Sequence, residues 1–159
     1  MEGLAITVRA ATKSDITRMS EILHDAVGFT CCNDYSADQV KAWQDKAGGN
    51  RWQELWCSEL TFYVAEVSSE AVVGFSSINP AGYIHSMFVD YRYLRKGVAT
   101  ALLKVVQAHA LAEGVAVLTS DVSITAKPFF ESMGFGVVGE QEVTVGCIAL
   151  RNFSMSKHL

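Results

Sequence analysis

Phe88-Val-Asp-Tyr-Arg-Tyr-Leu-Arg-Lys-Gly-Val-Ala-Thr-Ala-Leu-Leu-Lys104 runs from a strand ending through a basic turn into a helix beginning, the order in which proteins build an anion cradle. From Val98 onward Ala99, Leu102, Leu103, Val106 and Ala110 recur at three- and four-residue spacing, which predicts a helix with one buried face. Arg95, Lys96 and Gly97 come directly before it. They stand at the helix end whose first backbone N–H groups lack internal partners and carry the positive end of the macrodipole. Glycine allows a ligand close to the backbone, and Arg92 adds another cation on the way in. On these residues alone, a phosphate cradle and an ordinary basic turn are equally good readings.

Working outward, Tyr83 to Val89 forms the strand that feeds this turn, after a turn at Asn79-Pro80-Ala81-Gly82. Thr61–Val67 and Val72–Ile78 make a hairpin turned at Ser68-Ser69-Glu70. Residues 4–11 alternate as a first strand. Thr12 with Asp15, and Ser36 with Gln39, have capping-box spacing. The first opens a helix whose face is Ile16, Met19, Leu23 and Val27; the second opens a helix carrying Val40 and Trp43 inward, stopped by Gly48-Gly49. Arg51 to Ser58 reads as a short helical turn. The helix at 98–112 ends near Gly114, a strand follows at 115–121, and a short helix at 125–133 is capped by Gly134. Strands at 135–143 and 146–156 close the chain as a hairpin. The expected order is β-α-α-β-β-β-α-β-α-β-β, a layered α/β (α+β) domain with a mixed sheet, occupying residues 1–159 as one unit.

Half of the 159 residues are hydrophobic and 19% are charged, which excludes a disordered chain and allows a sizeable core. No apolar run approaches the roughly 20 residues needed to span a membrane, and no secretion signal is evident at the start. A net charge of −4 argues against a general nucleic-acid surface. The basic residues cluster instead: Arg92, Arg95, Lys96, Lys104 and Lys127 lie in or beside two short segments, which suits a ligand carrying several phosphates. Cys31, Cys32, Cys57 and Cys147 have no zinc-ligand spacing, so no metal is expected. Reduced thiols in a cytoplasmic protein are the simplest account.

Leu94-Arg-Lys-Gly-Val-Ala99 resembles the acetyl-CoA pyrophosphate loop of the GNAT superfamily of N-acetyltransferases, whose pattern is Gln/Arg-x-x-Gly-x-Gly/Ala. Gly97 and Ala99 match, and Leu94 departs from it. Ala126-Lys-Pro-Phe-Phe-Glu-Ser-Met-Gly-Phe135 resembles the family's Ala-x-x-Phe-Tyr-Glu-x-x-Gly-Phe segment. Weaker likeness extends through Tyr35–Trp43 and Ala149–Met155. The resemblance implies a central mixed, mostly antiparallel sheet in a three-layer domain, with acetyl-CoA as cosubstrate lying between two splayed strands, 83–89 and 115–121. It places the cofactor on Met87, Phe88, Val89, Arg95, Lys96, Gly97, Val98, Ala99, Thr100, Ser123 and Phe130. It also places the acceptor pocket in the helix-loop-helix region that holds Tyr35 and Trp43; at helical spacing Trp43 reads slightly better as core.

Transfer of an acetyl group to an amine requires a positioned thioester carbonyl, an uncharged amine, a donor for the oxyanion and a way for the thiolate to leave. Strict alternation puts Tyr83, His85, Met87 and Val89 on one face of their strand unless a bulge intervenes. His85 stands where many relatives place a catalytic Glu, and is either a general base or a side chain that shapes the pocket. The family's usual tyrosine acid maps onto Phe130, which has no proton to donate. Ser123 sits where relatives often have a CoA-contacting Asn and is a substitute hydrogen-bond donor. The acceptor is expected to be a small primary amine, because the wall candidates are aromatic and polar rather than acidic. The alternatives are a regulatory or sensor module that binds acyl-CoA without turnover, and an interaction protein using the sheet surface. The last hairpin offers an edge on which two copies could pair as a homodimer.

Overall fold

The computed structural model describes residues 4–46, 48, 50–68 and 71–159. Parts of two expected turns, Gly49 of the glycine pair and Ser69-Glu70, lie outside the described residues. Seven strands and five α-helices follow one another as β1 (Ile6–Ala10), α1 (Ile16–Thr30), α2 (Ala37–Lys46), α3 (Arg51–Trp56), β2 (Thr61–Val67), β3 (Ala71–Ile78), β4 (Tyr83–Val89), α4 (Val98–Ala112), β5 (Val117–Ser123), α5 (Lys127–Ser132), β6 (Gly136–Val145) and β7 (Ile148–His158). The strands form one sheet in the order β1-β2-β3-β4-β5-β7-β6. Every neighbouring pair is antiparallel except β4 with β5. Among the described residues no helix is long and apolar enough to cross a membrane.

Both capping boxes form. The Thr12 N–H donates to Asp15 Oδ2 at 2.8 Å, at the 3₁₀ turn Lys13–Asp15 that leads into α1. The Ser36 N–H donates to Gln39 Oε1 at 2.9 Å while the Gln39 N–H donates back to Ser36 Oγ at 3.2 Å. Reciprocal bonds of this kind satisfy the orphan donors of a helix start. A bulge in β3 decides which helices its residues meet: Ala65 pairs with Gly74 but Glu66 with Val72, so Val73 is an extra residue and faces the side opposite to Phe75. Phe75 of β3 packs with Met19 and Ile22 of α1 and Trp52 of α3, whereas Val73 packs with Val98 and Leu102 of α4. On the α4 side a second cluster joins Leu103, Val106, Leu118, Phe130 and Met155, tying α4 and α5 to the second half of the sheet.

The expected alternation along β4 breaks at one place. Ser77 pairs with Ser86, but the next β3 residue, Ile78, pairs with Ile84, so His85 is an extra residue opposed by nothing. Such a bulge reverses the side-chain phase beyond it. Met87 and Val89 consequently pack toward Val98 and Leu102 of α4. Phe88 packs toward Phe75 and Trp52 on the α1 side, the side on which His85 feels the charges of Lys46 and Arg51. The expectation that His85 shares a face with Met87 and Val89 is thus corrected by one inserted residue.

Candidate active site

The basic turn closes with Gly97 as the N-cap of α4 at φ 89°, ψ 5°, a left-handed conformation that costs an L-residue with a Cβ roughly 1–2 kcal/mol. The first intrahelical bond from this end runs from the Ala101 N–H to the Gly97 C=O at 3.0 Å, leaving the N–H groups of Val98, Ala99 and Thr100 ahead of the ladder. A Cβ built on Gly97 meets only Ile6 Cδ1, at 3.8 Å. The cradle is therefore open, and with the exposed Arg95 beside it it fits a pyrophosphate.

Arg92, expected to contribute to this positive region, is engaged elsewhere. Its Nη2 and Nε donate to the Asp90 carboxylate at 2.8 and 3.1 Å, and Arg18 Nη2 reaches the same group at 2.6 Å. These contacts hold the buried Asp90 well below the usual carboxylate range, the Arg92 hydrogen bond being the largest cause. The cluster fixes the turn. Lys96 lies over the Tyr93 ring at 5.8 Å, and Lys127 pairs with Glu131 at 2.9 Å. Neither Lys96 nor Lys127 lines the cavity described next, so Arg95 is the loop cation that faces it.

β4 and β5 are in register only at Tyr83–Thr119 and Ile84–Ser120, and past these two pairs they splay. The Asp90 N–H bonds to the Val73 carbonyl at 2.8 Å. Because successive N–H groups of a strand point to opposite sides, those of Met87 and Val89 turn away from β3, into the splay. A cavity of about 620 Å³ opens there, within the range of small-molecule sites. It runs from Arg95 and the Gly97–Thr100 loop, past Met87, Phe88 and Val89, between Ser123 and Phe130, to His85 and Trp43.

Three hydroxyl contacts that the sequence did not mark pin the bulge. Ser77 Oγ and Ser86 Oγ lie 2.6 Å apart, and Ser76 Oγ donates to the Ser86 carbonyl at 2.7 Å. From β5, Ser120 Oγ donates to the Ile84 carbonyl at 2.8 Å. All four serines are buried. Together they fix the backbone on both sides of His85.

His85 Nδ1 is buried without a hydrogen-bond partner among the described residues. Burial, then Arg51, then Lys46 hold its pKa below the ordinary histidine value, so the ring is neutral near pH 7 and free to accept a proton. Thr30 Oγ1 and Trp52 Nε1 are also buried and unpartnered, and both residues line the same cavity. Beside His85, with ring centroids 6.3 Å apart, Tyr83 donates its hydroxyl to Asp121 Oδ2 at 2.9 Å. Burial foremost, helped by that carboxylate, pushes the Tyr83 phenol up to about 12, making it a poor proton donor.

Tyr35 does not line the cavity, contrary to its expected place on the acceptor wall. Its hydroxyl donates to the Arg151 carbonyl at 2.6 Å and accepts from the Ile124 N–H at 3.0 Å, and its ring packs edge-on to Trp43 at 5.7 Å. Tyr35 is a buttress, and Trp43 is the wall in front of it. Ser123 Oγ accepts from the Ala126 N–H at 3.0 Å, capping the approach to α5, while its proton remains to be donated. Phe130 is buried edge-on between Phe129 and Phe135.

Comparison with known proteins accords with this geometry. Residues 31–158 match the acetyltransferase (GNAT) domain family. The chain is 37% identical over 150 residues to an uncharacterized N-acetyltransferase, YafP, of Escherichia coli strain K12, covering 94% of each. A GCN5-related N-acetyltransferase from Rhodopseudomonas palustris superposes with a TM-score of 0.91 at 26% identity, covering 100% of this chain and 98% of the other. Salmonella typhimurium yncA, a putative acetyltransferase solved with its cofactor acetyl-CoA, shares the fold at a TM-score of 0.65 and 22% identity, over 98% of this chain and 94% of its own. The chain belongs to the GNAT family and is an acetyl-CoA-dependent acyltransferase.

Proposed function

We propose that this protein transfers an acetyl group from acetyl-CoA to the primary amine of a small molecule, by direct attack while both substrates are bound. The observation that carries the reading is a single cavity joining the open Gly97 loop, the splayed backbone of β4 and the neutral His85. Backbone N–H groups of Val98 to Thr100, with Arg95, hold the phosphates. The N–H of Met87 or Val89 donates to the acyl oxygen as charge gathers on it. His85 removes a proton from the ammonium form of the acceptor, directly or through water. The amine nitrogen then bonds to the acyl carbon, the C–S bond breaks, the thiolate departs with a hydrogen bond from Ser123 in place of the missing tyrosine, and the proton that the nitrogen sheds ends on the thiolate as free CoA thiol. A thiol of pKa about 8.5 leaves without a strong acid near neutral pH.

Titration of acetyl-CoA into wild type and Gly97→Glu, followed by an amine screen with His85→Ala as control, tests this. Saturable binding lost in Gly97→Glu supports it; absent binding by wild type refutes it. One observation favours a second reading, an acyl-CoA-binding sensor without turnover: Phe130 supplies no proton where the family uses tyrosine. If Phe130→Tyr creates activity in a chain that has none, the sensor reading stands.

A further inference from the structure

The acceptor end of the cavity carries two cations beside His85. Lys46 at the end of α2 and Arg51 at the start of α3 both line it, and among the described residues neither forms an ion pair. Of the six arginines in the sequence, Arg9, Arg18, Arg92 and Arg151 are each paired with a carboxylate. The two left over are Arg95, in the phosphate loop, and Arg51. A half-buried guanidinium is costly to desolvate unless an anion meets it. Trp52, next in sequence, adds a buried indole N–H with no acceptor among the described residues, and that group can only donate.

We infer that this end of the cavity binds an acceptor carrying an anionic group, a carboxylate or phosphonate, which Lys46 and Arg51 hold while the amine faces His85. The inference rests on the acetyltransferase reading and narrows its acceptor. A purely cationic amine would approach two like charges, whereas an amino acid or aminophosphonate neutralises them. Asp121, which accepts the hydroxyl of the Tyr83 beside His85, lines the same cavity and supplies a carboxylate for the ammonium. Nearby cations also favour the uncharged amine, the form that attacks.

The experiment uses L-α-amino acids and aminoalkylphosphonates, each matched with the same amine lacking the acid, on wild type, Arg51→Ala and Lys46→Ala. For wild type kcat/KM should favour the acid-bearing member by roughly tenfold or more, as a charge-assisted contact predicts. Arg51→Ala should bring the pair close to parity while acetyl-CoA affinity stays within about twofold, since its phosphates lie at the other end. Equal rates for both members in wild type overturn the proposal, as does an Arg51→Ala that weakens acetyl-CoA instead. Where no panel member is acetylated, thermal shift of the CoA complex decides: stabilisation by an acid-bearing member, lost in Arg51→Ala, supports it, and no stabilisation overturns it. Failure of wild type to bind acetyl-CoA at all is a different result, and removes the acetyltransferase reading along with this one.

Discussion

Replacing Gly97 by Asn and, separately, by Asp isolates the charge of the phosphate loop from its shape. Both side chains are the same size, and both tolerate left-handed backbone better than other L-residues, so each should lose at most about 1–2 kcal/mol. The single neighbour of a new Cβ, Ile6 Cδ1 at 3.8 Å, adds no clash. For a chain of this length that loss lowers Tm by about 2–8 °C. Asp, beside the first turn of α4, recovers roughly 0.3–1 kcal/mol from the helix dipole, so Gly97→Asp should be at least as stable as Gly97→Asn. Ligand affinity should move the other way. A negative charge about 5 Å from a phosphate, at an effective dielectric near 20, is repelled by about 3 kcal/mol. Screening at physiological salt halves this or more, leaving Asp weaker than Asn for acetyl-CoA by up to about tenfold. Calorimetry at about 50 and 500 mM salt reads both the gap and its narrowing. Equal affinity of the two variants would show that the phosphates bind elsewhere.

His85, held below its ordinary value, should stay a competent base down through pH 6.5, so kcat falls only below that. Arg51→Ala removes a cation facing the ring, with Lys46 and the Tyr83–Asp121 pair unchanged, and should move the acid limb upward; a limb that does not move contradicts the base assignment. Tyr35→Phe strands the Ile124 N–H and the Arg151 carbonyl, costing about 1–3 kcal/mol in denaturant unfolding, with KM for the acceptor unaltered because Tyr35 is behind the wall. Ser77→Ala leaves the buried Ser86 hydroxyl without its partner, costs about 1–3 kcal/mol, and should reduce kcat more than acetyl-CoA affinity, since the bulge it supports holds His85 rather than the phosphate loop. A kcat unchanged in Ser77→Ala would detach the serines from the chemistry.

Local signals were legible where they depend on neighbours in sequence. The capping boxes at Thr12 and Ser36, the apolar face of α4 and the glycine before it each act within one turn, and Tyr83–Val89 is bounded as its alternation predicts. What escaped depends on contacts distant in the chain. One inserted residue at His85 turns Met87 and Val89 to the other face, and period-2 reasoning has no means of sensing it. Lys46 and Arg51 belong to different helices, and only tertiary packing brings their charges to His85. Tyr35 and Trp43 lie on one stretch, but which of them is wall and which is support depends on carbonyl and amide partners at Arg151 and Ile124. Arg92 looked like a free cation because Asp90 is two residues earlier and reads as an ordinary strand end.

The shortness of the β4–β5 pairing has a mechanical consequence. β1 to β4 form one panel and β5, β7 and β6 another, and across the seam two register pairs and the Ser120 hydroxyl are the backbone fastenings. A substrate laid along the seam occupies the position of a missing strand, so it serves as a rivet between the panels as well as a reactant. Saturation at about 100 times Kd is worth close to 2.7 kcal/mol to the folded chain. That gain should appear as slowed amide exchange on Met87 and Val89 and on the facing β5 amides together, with the outer strands β1 and β6 little changed.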